Sequence, residues 1–316
     1  MVPGRWHPLF DPALLEAIIE ATPEWLGALL VPITYIGSVF VVVPAVVVAY
    51  WWDPDRMGAW LPAFLAYYGL MASIKSLNSA TRPDVDPAVG PELFPAIYAT
   101  WYEHATAISS TSFPSGNAMV PALIVGLMIV DLRVSTLRRR AVVGGFVIAL
   151  VGYTRLGLGV HYPIDVIGGI TLGLALLGVI VYCRRRLEDG VTAVFVLALV
   201  VTFVSVWLRS NGFGVPTWAG IQGSNRVLAF GGAVGGLLAW RLGRTTDWAY
   251  TRDTLGSVGS FATLLAVVTA TYIVHTTVTH PLVTMLWAAV AFGAVVAVPH
   301  IVPTRTELSA TLGVSA

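Results

Sequence analysis

Long apolar runs alternate with short polar connections along this chain, a pattern of repeated membrane crossings and not of a single water-facing domain. A helix needs about 20 mostly apolar residues to span a bilayer. Such runs occupy Trp25–Trp52 (most apolar over Ile33–Trp52), Gly58–Ile74, Ser115–Leu132, Ala141–Gly157, Tyr162–Tyr182, Val191–Leu208, Val227–Leu242, Val258–His275 and Pro281–Ile301. They predict an all-α polytopic membrane helix bundle of about nine transmembrane helices. Pro12–Ala21 is amphipathic and is expected to lie along the interface. The long connection from Lys75 to Phe113 is rich in Pro, Ser, Thr and Asp, and a loop of that length is usually functional or disordered. Pro303–Ala316 reads as a mobile tail.

Composition agrees with the pattern. Of 316 residues 56% are hydrophobic and 11% charged, whereas soluble domains carry about 25% charged residues. Mean hydropathy is +0.78. The net charge of +1 gives no footprint for nucleic acid. Cys183 is the sole cysteine, so no intramolecular disulfide and no cysteine-rich metal site can form. The N-terminal residues lack a cleavable signal pattern, so the first span is expected to direct insertion.

Charge placement orients the chain. With alternating spans, Arg56, Arg133, Arg138, Arg139, Arg140, Arg184, Arg185, Arg186, Arg241, Arg244, Arg252 and Arg305 fall on one side. Arg5, Arg209, Arg226, Lys75, Arg82 and Arg155 fall on the other. The arginine-rich side is the cytoplasmic one. The N-terminus is therefore expected outside and the C-terminus inside.

Lys75, Arg82 and Arg155 stand on the side that avoids cations, and Lys75 is the only lysine. Taken singly, each could snorkel to the interface. Their setting points elsewhere. Lys75 and Arg82-Pro83 open the long outer connection, Pro114-Ser115-Gly116-Asn117 opens the next helix, and Thr154-Arg155 precedes His161 and Asp165. Two spanning hairpins bring all of these to one membrane depth. Arg matches phosphate oxygens with a planar fork, and Lys adds a point charge. Ser115 and Gly116 begin a helix, where backbone N–H groups and the positive dipole end favour an anion. Asp165 lies one helical turn beyond His161, so it can hold one ring nitrogen and leave the other to attack.

These segments resemble the signature of the type 2 phosphatidic acid phosphatase family: K-x6-R-P, P-S-G-H and S-R-x5-H-x3-D. Here they read Lys75…Arg82-Pro83, Pro114-Ser115-Gly116-Asn117 and Thr154-Arg155…His161…Asp165. The resemblance covers roughly residues 20–186. It implies an all-helical core with an outward-facing site, lipid phosphates or prenyl diphosphates as substrates, and no metal. It also implies that His161 forms a phosphohistidine, that Asp165 is its partner, and that Lys75, Arg82 and Arg155 clamp phosphate with help from Ser115 and Gly116. Thr154 keeps the hydroxyl of the family's serine. Asn117 replaces the histidine that protonates the leaving group, and an amide delivers no proton. His104, in the long connection, is a candidate stand-in, against the plainer reading of a loop histidine touching headgroups or water.

The expected organisation is a catalytic membrane domain over residues 1–186, additional transmembrane helices of unknown role over 187–302, and a tail over 303–316. The expected activity is a lipid phosphate or prenyl diphosphate phosphatase. The expected partners are that substrate and membrane lipids, and the sequence leaves the oligomeric state open. Three other readings stay open: a phosphotransferase with a non-water acceptor, a catalytically weak lipid-phosphate binder or transporter in which Asn117 marks lost activity, and a channel with a coincidental motif. The last predicts polar residues deep in several helices, and few are present. The eleven tryptophans read mostly as an aromatic belt, and Gly168-Gly169 and Gly231-Gly232…Gly235-Gly236 as small-residue helix packing.

Overall fold

The computed structural model describes residues 11–91, 95–107, 111–211, 225–245 and 258–301, and the regular structure among them is helical throughout. The predicted tail at 303–316, and Arg5, Arg252 and Arg305, lie outside the described residues. In chain order the helices are α1 (Pro12–Glu20), α2 (Glu24–Thr34), α3 (Val39–Trp52), α4 (Pro54–Met57), α5 (Trp60–Ser76), α6 (Ala96–Thr106), α7 (Gly116–Asp131), α8 (Leu137–Gly157), α9 (Pro163–Arg186), α10 (Gly190–Asn211), α11 (Asn225–Thr245), α12 (Val258–Thr277) and α13 (Pro281–Ile301). Local signals set several starts. Asp11 caps α1 by accepting from Ala13 N at 3.0 Å, with Pro12 in the first turn. Thr136 caps α8 by accepting from Arg139 N at 3.3 Å.

Each predicted span is helical, but among the described residues fewer than nine helices meet the demands of a full crossing. Among the described residues five are long and apolar enough, and six if α2 and α3 form one span bent by 43°. That bend follows a short 3-10 turn over Tyr35–Gly37. α7, with 16 residues, is shorter than a usual span. Large apolar side chains such as Val142, Val143 and Phe146 on α8, and Val196, Val200 and Phe203 on α10, are exposed. Exposed apolar area on this scale suits lipid contact, and the protein is a membrane protein.

The chain forms two compact units: Met1–Pro44 with Ile74–Val179, and Ala45–Ser73 with Ile180–Ala316. In the first, glycines let backbones touch. A Cβ on Gly169 of α9 would lie 2.5 Å from the carbonyl oxygen of Ser115, and one on Gly173 would lie 2.4 Å from that of Met119. α9 thus runs against the backbone of the first turns of α7. Ser115 N–H donates to the carbonyl of Asp165 at 3.0 Å and fastens the two helix starts. Leu30, Val31, Tyr102, Leu158 and Val160 form an apolar cluster that seats α2, α6 and the α8–α9 connection together.

The second unit uses the same device. Cβ atoms on Gly231 and Gly235 of α11 would strike the carbonyl oxygens of Met285 and Ala289 on α13. Tyr50 and Trp51 donate to the carbonyls of Val296 and Val295 at 2.8 and 2.9 Å. Trp51 and Trp60 are buried and not part of an aromatic belt, whereas Trp25, Trp52 and Trp101 are exposed as the belt reading requires.

The close approach of α9 to α7 gives a direct test. Gly169→Ala forces the Ser115 carbonyl away and is expected to cost about 1–3 kcal/mol of stability. Gly178→Ala, where a Cβ meets nothing within 4 Å, is expected to be neutral or to stabilise by up to about 1 kcal/mol. Thermal unfolding in detergent compares the two.

Candidate active site

His161 sits in the tight connection between α8 and α9. The chain turns there through Gly159, whose φ of 65° lies in the left-handed region that favours glycine. Leu158 N, Gly159 N and Val160 N donate to the carbonyls of Thr154, Leu156 and Arg155 at 3.0, 2.8 and 3.3 Å, which closes the turn. The imidazole is 3% exposed. Asp165, in the first turn of α9, is fully buried. Its Oδ2 accepts from Tyr162 N at 2.9 Å and from the hydroxyl of Ser112, and lies 3.4 Å from His161 Nδ1.

On the other edge of the ring, Arg82 donates from Nη1 to the carbonyl of Val160 at 2.8 Å and lies 3.3 Å from His161 Nε2. A guanidinium has no acceptor, so Nε2 meets it with a lone pair and the ring proton belongs on Nδ1, toward Asp165. This tautomer is assigned from the hydrogen-bond network. Burial drives the imidazole pKa down to about 3; the charges of Arg155 and Arg82 push the same way, while the Asp165 hydrogen bond and charge oppose them. The ring is therefore neutral at physiological pH, as a nitrogen nucleophile must be.

The cations enter from three elements. Lys75, at the end of α5, donates to the carbonyl of Thr111 and lies 3.5 Å from that of Ser112. Arg82 follows it in the connection. Arg155, near the end of α8 and 5% exposed, donates from Nη1 to Thr34 Oγ1 at 2.7 Å and to the Ala105 carbonyl at 3.1 Å. Ser115 is the N-cap residue of α7 yet makes no side-chain cap, and its buried hydroxyl has no partner. Arg155 Nε and Asp165 Oδ1 are likewise buried without partners. Buried polar atoms are normally satisfied, so two orphan donors and an acceptor among these residues fit a bound polar group. An oxyanion suits the donors.

The sequence-predicted residues mostly converge. Lys75, Arg82, His161 and Asp165 meet through the Thr111–Ser112 segment, Ser115 joins through the Asp165 carbonyl, and Arg155 acts electrostatically on His161. Gly116 is the first residue of α7. Asn117 follows it, half-buried, with its carbonyl against Gly37. His104 stands apart. It is exposed at the end of α6, its ring 6.3 Å from that of Phe40, and no hydrogen bond of this network reaches it. The structure gives it no support as a stand-in acid.

Three residues were missed. Ser112 bridges the His–Asp pair, and Thr34 holds Arg155. Asn78 donates to the carbonyls of Ile74 and Phe113 at 2.7 and 3.0 Å and accepts from Ala80 N at 3.1 Å, tying the end of α5 to the segment before α7. Only the nearness of Asn78 and Ser112 to the motifs could have signalled them. Among the described residues no group of three or more His, Cys, Asp and Glu could hold a metal ion.

The family model described as the PAP2 superfamily matches residues 57–189, which include every motif position named above. The chain carries a PAP2 superfamily domain. Phosphatidylglycerophosphatase B of Bacillus subtilis (strain 168) is 29% identical to it in an alignment 180 residues long that covers 52% of this chain and 79% of that protein. A solved structure, the first transmembrane PAP2 type phosphatidylglycerolphosphate phosphatase from Bacillus subtilis, has 25% identity and a TM-score of 0.46. That alignment covers 56% of this chain and 86% of that one. Within the PAP2 domain the Lys75, Arg82, Ser115, Arg155, His161 and Asp165 positions all belong to one compact unit.

Burial of a neutral histidine has a measurable consequence. Between pH 6.5 and about 3 the unfolded chain takes up a proton that the folded site refuses. Folded-state stability therefore falls as pH drops through that window, by up to about 1.4 kcal/mol per pH unit. His161→Gln is expected to flatten this slope, read from unfolding temperatures in detergent between pH 7 and about 4.

Proposed function

We propose that the protein is an integral membrane phosphatase of lipid phosphates, with His161 as nucleophile. The observation that carries the reading is the buried ring of His161, with Nδ1 toward Asp165 and Nε2 3.3 Å from the Arg82 guanidinium, and with the Ser115 hydroxyl buried and unpaired where α7 joins the same network. The PAP2 domain and the relative's activity support a phosphoric monoester hydrolase. The arginine distribution supports a site on the non-cytoplasmic side, with the N-terminus outside and the C-terminus inside.

The chemistry follows from the groups present. A phosphoryl oxygen takes the Arg82 hydrogen bond in place of Nε2 and releases the lone pair. Nε2 forms a bond to phosphorus while the P–O ester bond breaks, its electron pair leaving on the departing oxygen. Asp165 holds the Nδ1 proton and offsets the positive charge that grows on the ring. Lys75, Arg82 and Arg155 offset the charge on the transferring phosphoryl group, with the buried Ser115 hydroxyl at the start of α7 adding a donor. Water then attacks phosphorus, the Nε2–P bond breaks with its electron pair returning to Nε2, and the water's proton passes to the departed lipid oxyanion or to solvent, which restores His161.

Asn117 shapes the substrate. A general acid typically contributes about 10²- to 10⁴-fold, and an amide cannot serve as one. The loss weighs most on an alkoxide leaving group and least on a phosphate, whose second pKa is about 6. The preferred substrate is accordingly a diphosphate lipid that leaves as a monophosphate.

The test is purified protein with farnesyl diphosphate, phosphatidic acid and phosphatidylglycerophosphate in mixed micelles, beside His161→Ala. The diphosphate is expected to turn over fastest, and His161→Ala to lower kcat by about 10³-fold or more. Asn117→His is expected to raise monoester hydrolysis by about 10²-fold. Phosphate release that survives His161→Ala sinks the mechanism, and faster phosphatidic acid hydrolysis sinks the diphosphate preference. Phosphorylated alcohol formed in place of free phosphate, on adding glycerol, identifies a transferase.

A further inference from the structure

Ser112 is outside the motifs yet sits at their junction. It is fully buried. Its hydroxyl donates to Asp165 Oδ2 and its oxygen lies 3.4 Å from His161 Nδ1, the same distance that separates Nδ1 from Oδ2. A hydroxyl has one proton and two lone pairs. With the proton on the carboxylate, the oxygen faces Nδ1 as an acceptor. The ring N–H therefore points at two acceptors, both beyond the usual 2.7–3.2 Å range for N–H···O. Asp165 alone would hold the ring by one long contact.

The main chain of Ser112 matters as well. Its N–H donates to the Ala80 carbonyl at 2.9 Å and its own carbonyl lies 3.5 Å from Lys75 Nζ. The hydroxyl that touches the imidazole is thus placed by the segment that runs from Lys75 to Arg82.

We infer that Ser112 is a positioning residue: its hydroxyl clamps the Asp165 carboxylate and shares the Nδ1 proton of His161, which fixes the ring with Nε2 toward the phosphate. This rests on His161 being the nucleophile. Ser112 touches neither phosphorus nor the leaving group. It acts by holding the tautomer and by limiting the rocking of the ring as the Nε2–P bond forms. The competing account is packing alone, in which a small buried side chain fills space and the hydroxyl satisfies a buried carboxylate. The two differ in what they predict for turnover and binding, because ring orientation affects bond formation whereas the cations that grip phosphate are unchanged.

The experiment compares wild type, His161→Ala, Ser112→Ala, Ser112→Gly and Ser112→Thr as purified full-length proteins. Each is checked by size-exclusion profile and unfolding temperature, then assayed with farnesyl diphosphate and dioctanoyl phosphatidic acid. Ser112→Ala and Ser112→Gly are expected to lose about 10- to 100-fold in kcat, the range seen when a partner that orients a functional histidine is removed, with KM within about threefold of wild type. Ser112→Thr keeps the hydroxyl and is expected to recover kcat to within about fivefold. A wild-type kcat in either Ser112→Ala or Ser112→Gly, or a loss residing in KM, overturns the assignment. So does a folded Ser112→Thr as impaired as Ser112→Ala. If Ser112→Thr does not fold, the Ala and Gly pair decides on the same criteria. Full activity in His161→Ala overturns the nucleophile instead, and with it the premise.

Discussion

A buried carboxylate must find hydrogen-bond donors, and the first unit is arranged around meeting that demand for Asp165. Removing a carboxylate from water costs several kcal/mol unless donors replace the lost hydration. Here they arrive from the α8–α9 turn, through Tyr162 N and His161, and from the segment before α7, through Ser112. The backbone carbonyl of the same residue accepts from Ser115 and fixes the start of α7. One residue thus sets the register between the turn that presents the imidazole and the helix start that can face an anion.

Two further constraints keep these pieces in place. Glycines at 169 and 173 allow α9 to lie on the backbone of α7, so the turn and the helix start cannot drift apart without opening a packed contact. The apolar cluster around Leu30 and Tyr102 seats the far side of the turn. The polar network therefore hangs from rigid elements, which is what a site that must align an attacking nitrogen requires.

Much of this was legible in the sequence. Apolar runs located the helices, because lipid-facing segments leave little choice of composition. The three-residue gap between His161 and Asp165 gave their pairing, because it spans one helical turn. Lys75, Arg82 and Arg155 announced themselves as cations on the side that avoids them. What escaped has a common cause: Ser112, Thr34 and Asn78 are ordinary polar residues, and only a long-range contact gives them a role. The same limit applied to Trp51 and Trp60, whose burial depends on partners far along the chain, and to α7, whose apolar run fell short of a full crossing once its ends were set. His104 is the converse case: proximity in sequence suggested it, and its ring is exposed with no hydrogen bond to the His161 network.

Arg82 lies where it caps the only unprotonated nitrogen of the buried ring. That nitrogen is therefore guarded: a proton or a stray electrophile meets a fixed positive charge first. On the reading of His161 as nucleophile, an anionic headgroup that competes for the guanidinium would uncover the lone pair, and a neutral lipid would not, so the headgroup's own charge would serve as its admission signal.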